Sequence, residues 1–198
     1  NRGFEYQPSD RGNNEDWNSK KAWKTTGENI TFDIVTASPV HENNSHYAVL
    51  KIDRIGGGLQ NEGFDGITLK AGDKYDFSVF ARLLDGKSGK MKIRLVGDNG
   101  DVIAETATGT VSSEWKKYTA VMTAGKDATH ARLEIIPQSE GSFALYMVSP
   151  FPQQTFKGRK NGPRNDLAQV LADMKPRCVS FPGGCVAHGD AIEHRYQW

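Results

Sequence analysis

Between His46 and Met147 the apolar residues recur with a period of two, and no other feature limits the possible folds of this chain so much. Successive side chains on a strand point to opposite faces, so such alternation marks strands with one buried face. His46 to Arg54 sets Tyr47, Val49 and Lys51 on one side and Ala48, Leu50 and Ile52 on the other. Tyr75, Phe77, Val79, Ala81 and Leu83 alternate with Asp76, Ser78 and Arg82, and Phe80 alone breaks the pattern. The sets Met91, Ile93, Leu95; Tyr118, Ala120, Met122; Ala131, Leu133, Ile135; and Phe143, Leu145, Met147 repeat it. Asp85-Gly86, Ala124-Gly125 and Glu140-Gly141 punctuate these runs. Asp98-Asn99-Gly100-Asp101 predicts a type I′ hairpin, because Asn-Gly tolerates positive φ. Short strands, recurring turns and no helical period predict a mainly β fold, an antiparallel jelly-roll sandwich.

Residues 7 to 31 are polar and rich in Gly and Asn, as loops and short edge strands are, yet they carry Trp17 and Trp23. A tryptophan in such a loop either offers its face to a sugar ring or plugs the end of the sandwich. Trp17, Trp23 and Tyr47 are the stacking candidates.

After residue 150 the pattern changes. Residues 151–162 are rich in Pro, Gly and basic residues and read as a linker. Pro163 suits a first helical turn, and Leu167, Val170, Leu171 and Met174 then form one apolar helix face. Lys175-Pro176 ends the helix, and Cys178 to Phe181 predicts a short strand closing on Pro182-Gly183-Gly184. A helix, a two-residue link and a strand with glycines at its carboxyl end follow the grammar of a parallel α/β layer, where ligands sit beyond the strand ends. One helix and one strand bury little by themselves. Either this unit packs on the sandwich, or it is part of an incomplete (β/α)8 barrel whose remainder lies elsewhere; the second explains more and is the expectation for residues 163–198.

Two sets of motifs carry a resemblance. Asn1-Arg2-Gly3-Phe4-Glu5, the block from Leu69 to Arg82, Ser113 to Tyr118 and Val148-Ser149 resemble the jelly-roll carbohydrate-binding modules of families 4 and 9, sandwiches of the galactose-binding-like kind. This covers residues 1–150. Modules of that type often hold a structural calcium between the Glu of the opening motif, here Glu5, and an Asp on the last strand. Tyr146 stands where the Asp is usual, so no metal and no other cofactor is expected. Thr155 to Gly162, Asp166 to Gln169, Asp173 to Pro176 and Phe181 to Cys185 are similar to α-L-arabinofuranosidases of glycoside hydrolase family 51, some of which carry such a sandwich near the start of the barrel. Glu193 to Trp198 resembles a run of the same family.

That resemblance implies a retaining glycosidase with two glutamates, an acid/base and a nucleophile. Both belong to barrel strands beyond Trp198, so this piece alone is expected to be inactive. It also implies that Gly183, Gly184 and Cys185 line the arabinose pocket, with Ser180 where the family has an arginine. An Arg-to-Ser difference removes a charged fork of donors. The expected partner is an arabinose-containing polysaccharide or oligosaccharide, together with the rest of the barrel. The alternative function is a carbohydrate-binding or purely structural sandwich.

Composition excludes other classes. With 25 basic and 24 acidic residues in 198, the net charge of +1 gives no electrostatic reason to bind nucleic acid or an anionic membrane. No run of about 20 apolar residues would span a bilayer. Any secretory signal is expected to have been removed or to lie outside these residues. A polysaccharide substrate implies, by analogy, a secreted or periplasmic protein. Cys178 and Cys185 are too few for a disulfide framework. They flank a turn and could pair, but two free thiols are the expectation. The five histidines lack metal-ligand spacing.

Overall fold

The computed structural model describes residues 1–178. Of the predicted strand over residues 178–181, all but Cys178 lies outside the described residues, as do Gly183, Gly184 and Cys185. Eleven strands precede one helix: β1 (Trp23–Thr26), β2 (Ile30–Val35), β3 (Tyr47–Ile52), β4 (Gly58–Asn61), β5 (Ile67–Leu69), β6 (Lys74–Gly86), β7 (Met91–Val96), β8 (Val102–Ala107), β9 (Lys116–Thr123), β10 (Ala128–Pro137), β11 (Gly141–Pro152) and α1 (Asn165–Asp173). They form two antiparallel sheets. One runs β1-β4-β10-β7-β8, with β5 also on β10; the other runs β2-β3-β11-β6-β9. Strand β11 lies between β3 and β6, strands far from it in sequence. This is the winding of the jelly-roll sandwich that the alternation predicts.

The period-two sets supply the core. Leu50, Leu59, Val79, Ile93, Leu95, Ile135, Phe143 and Leu145 are all at 0% exposure. Each such side chain contributes roughly 1.5–3 kcal/mol on burial. The opening residues join them. Phe4 is fully buried, with its ring 5.2 Å from that of Trp23.

The two faces of β3 show why Phe80 interrupts its strand pattern. Ala48, Leu50 and Ile52 face the core, whereas Tyr47 and Val49 lie on the outer side. Tyr47 is nevertheless only 3% exposed and forms a second cluster with Ala144 and Tyr146. Val35, Val40, Val49, Phe80, Trp115 and Met147 pack against it. Val40 belongs to the β2–β3 loop, so loop packing adds to the cover on this outer face. Phe80 fills that second layer.

The hairpin between β7 and β8 differs from the predicted type. Gly97 N–H donates to Asp101 O (2.9 Å) and Gly100 N–H to Gly97 O (3.0 Å). Only Gly100 of the Asn99-Gly100 pair has positive φ, +80°. A type I′ turn needs two such residues; one left-handed glycine closing a three-residue loop is the bulged alternative.

The chain divides into two compact units, Asn1–Gln154 and a second beginning at Thr155. Strand β11 takes in Phe151 and Pro152, the first residues of the predicted linker. In the second unit Pro163 lies before the Arg164 cap of α1, not in its first turn, and its carbonyl accepts from Phe156 N–H (3.0 Å). The predicted apolar stripe is present but exposed, from 58% at Leu167 to 70% at Met174. No helix among the described residues is long and apolar enough to cross a membrane.

Candidate functional site

A cleft of about 830 Å³ opens where the β4–β5 turn meets the opening segment and the β7–β8 hairpin. The turn is held at its base. Asn61 Oδ1 accepts from Gly63 N–H (2.9 Å), and Glu62 N–H donates to Ala22 O (3.0 Å). Gly66, at φ +88°, passes so close to β10 that a Cβ there would lie 2.4 Å from His130 Cα. Only glycine fits that approach. The result is a turn that presents Phe64 at 82% exposure on the cleft wall. Lone exposed apolar residues are ordinary on protein surfaces. A phenylalanine fixed on a pinned turn over a cleft of polar groups is less so.

Those polar groups are Asn61, Glu62, Asp65, Asp98, His130 and Arg132. Asp98 lies 3.7 Å from His130 Nδ1 and 4.0 Å from Arg132, loose pairs at an exposed site. Exposed pairs at such distances contribute little, which leaves the groups available to a ligand. Glu62 and Arg132 lead onto the outer face of the β1-β4-β10-β7-β8 sheet. There Lys24, Gln60, Glu134, Arg94 and Glu105 stand in one cross-strand row. Gln60 donates to Glu134 (2.8 Å) and Arg94 Nε to Glu105 (2.7 Å). Gln60 is 5% exposed, and its Oε1 has no partner among the described residues. An apolar ring in a cleft of several planar donors and acceptors suits a polyhydroxylated ring.

The three stacking candidates fall in different places. Trp17 lines the cleft. Its ring is stacked on Tyr6 (4.8 Å, 12°), with Arg11 at 5.0 Å and Lys21 at 5.9 Å, so its faces already have partners. Trp23 is a core residue, 7% exposed, with its Nε1 donating to Asn1 O (2.8 Å). Tyr47 is covered by the β2–β3 loop, with its hydroxyl donating to Ala37 O (2.5 Å). Neither of these two can offer a ring face as the structure stands. Phe64 is the aromatic that the sequence reading passed over. The closely spaced glycines around it were the available signal.

The opening-motif glutamate is engaged otherwise than by a cation. Glu5 Oε1 accepts from His46 N–H (2.9 Å), and Oε2 meets His46 Nδ1 at 2.5 Å. Burial, and then the nearby Glu5 charge, push the Tyr146 hydroxyl above its usual range. Two carboxylate oxygens already paired, beside a phenol in place of a second carboxylate, do not fit a calcium ion. Elsewhere the displaced carboxylates, Asp33, Asp101, Glu105 and Asp166, are all lowered by hydrogen bonds from cationic neighbours. A glycosidase acid needs the opposite shift.

Residues 1–142 match the family described as carbohydrate binding domain, and the chain belongs to that family. An extracellular exo-α-L-arabinofuranosidase of Streptomyces chartreusis is 33% identical over 195 residues, which cover 98% of this chain and 22% of that protein. α-L-Arabinofuranosidase 1 of Arabidopsis thaliana is 29% identical over 212 residues, 100% of this chain and 30% of that one. The arabinose-bound MgGH51 α-L-arabinofuranosidase is similar in structure, with a TM-score of 0.84 at 25% identity over 100% of this chain and 32% of its own. The CBM22-1 and GH10 modules of Clostridium thermocellum Xyn10B, solved with xylohexaose, share the sandwich fold (TM-score 0.52, 20% identity, 67% of this chain and 26% of theirs). The chain spans about a quarter of the length of the curated relatives it matches.

Proposed function

We propose that this chain is the accessory sandwich and the opening of the catalytic domain of an α-L-arabinofuranosidase. That enzyme removes terminal arabinofuranosyl residues from plant polysaccharides or oligosaccharides, with retention, outside the cell or in a periplasm. The observation that supports it best is the reach of the similarity. It extends through 98% of the chain in the Streptomyces relative, well past the 142 residues of the sandwich family. On this reading the two catalytic glutamates lie in the remainder of the enzyme, and Gly183, Gly184 and Cys185 line its sugar pocket. The exposed Leu167, Val170, Leu171 and Met174 stripe agrees, because a barrel helix needs neighbours that the described residues do not supply. The 198-residue protein should release nothing from an aryl α-L-arabinofuranoside, and an extended gene product should release arabinose. Hydrolysis by the short protein, or a different sugar released by the long one, would end this reading.

The cleft beside Phe64 favours a second role within the same enzyme, holding a polysaccharide chain. Titration with arabinoxylan or arabinan should change the fluorescence of Trp17, and Phe64→Ala should abolish that change. A flat titration over a wide concentration range would leave the sandwich a structural brace.

A further inference from the structure

On the other sheet, away from that cleft, four hydrogen-bond donors gather around one side chain. Arg82 is flanked by the rings of Trp115 (4.9 Å) and Tyr47 (5.8 Å). Its Nη2 reaches the Tyr47 hydroxyl (3.3 Å), and its Nε is buried with no partner among the described residues. The Tyr47 hydroxyl and the Trp115 indole N–H complete the set. Both donate to the β2–β3 loop, Tyr47 to Ala37 O (2.5 Å) and Trp115 Nε1 to Ser38 O (3.1 Å). Two consecutive backbone carbonyls thus lie against two of the donors, beside a guanidinium whose own charge they leave unbalanced. A buried cationic donor without a partner is costly, and a carboxylate is the acceptor that suits it best.

We propose that Arg82, Tyr47 and Trp115 form a binding site for the carboxylate of a uronic-acid sugar, closed by the Ala37–Ser38 stretch as an internal stand-in for that ligand. The carboxylate displaces the two carbonyls, accepts from Tyr47, Trp115 and the free edge of Arg82, and leaves the sugar ring beside Trp115. That the ligand is a sugar rests on the family to which the chain belongs. The strap is built to let go. Ser38 holds φ +55°, a strained left-handed conformation for a residue with a Cβ.

The test follows the Trp115 indole N–H signal by NMR while the whole protein is titrated with a glucuronic-acid-bearing xylo-oligosaccharide, its neutral counterpart and acetate. The acidic sugar should shift the signal, the neutral one should not, and acetate should act only at much higher concentration. Arg82→Leu should weaken the acidic sugar about tenfold or more, the loss of one charged hydrogen bond. The milder Trp115→Phe keeps the ring and removes the indole signal; its binding, read from the Arg82 side chain, should also weaken. Ser38→Pro cannot adopt φ +55°, so it should open the strap and tighten binding. Phe64→Ala should leave all of this unchanged, which separates the site from the neutral-sugar cleft. An unmoved indole signal in both the unaltered protein and Ser38→Pro would overturn the proposal. So would binding that survives Arg82→Leu, or acetate as effective as the sugar.

Discussion

Trp23 and Phe64 show how differently two aromatic residues in polar surroundings can be used. Trp23 packs on fully buried Phe4 and donates to Asn1 O. Trp23→Ala should therefore destabilise the fold by about 3–5 kcal/mol, seen as a lower denaturation midpoint at unchanged slope. Phe64 has little to lose: at 82% exposure its replacement by alanine should change stability by no more than about 0.5 kcal/mol. Gly66→Ala should behave as a core lesion although it sits in a surface turn, because the new Cβ meets backbone of β10 at 2.4 Å. A melting temperature unchanged in Gly66→Ala would show that the turn can yield. The sequence separates none of these roles. Trp17 and Trp23 occur in similar polar stretches, and only the fold decides that one plugs the core while the other walls a cleft.

Among the elements, strands were legible wherever one face meets the core and the other meets water. Strand β7 is the clearest, with Met91, Ile93 and Leu95 buried between the half-buried Lys92 and Arg94. Legibility failed where a loop covers the second face, as at Tyr47 and Phe80, because cover by a loop leaves no period in the strand beneath it. It failed at the β7–β8 turn for a different reason: Asn-Gly suits both the type I′ turn and the bulged one. The same sheet carries a pH dependence. The Arg94 hydrogen bond holds Glu105 below the usual carboxylate range. A depressed carboxylate adds stability above its unfolded-state pKa, and that contribution disappears as pH falls through the folded value. The pair is partly exposed, so the effect is small. Glu105→Gln should flatten, slightly but measurably, the fall in melting temperature between about pH 5 and pH 3. A parallel pair of curves would show that the pair contributes nothing.

At the scale of the whole molecule, the two units lead to different expectations. The first contains the entire sandwich and its core, and ends with β11 complete at Pro152. Residues 1–154 expressed alone should unfold cooperatively, with a midpoint close to that of the 198-residue chain. A broad, shifted transition would mean that the second unit contributes to the sandwich. The exposed stripe of α1 lies outside this unit, so the shorter protein should also bind less of a hydrophobic dye. The motif Asp166-Leu167-Ala168-Gln169 carries a resemblance to barrel enzymes, but one helix carries no closure information.

The backbone of the opening residues meets the last strand directly, with Val148 N–H donating to Arg2 O (3.1 Å). The chain thus enters and leaves the sandwich through the same doorway. A domain with that property can be spliced between two elements of a host fold without prising them apart, because the host sees only a short closed loop whatever the length of the insert. Central placement of β11 adds a condition in time. Its sheet lacks the middle strand until β11 has been made, so completion of the sandwich waits on that strand, a contact pattern of the kind that slows folding.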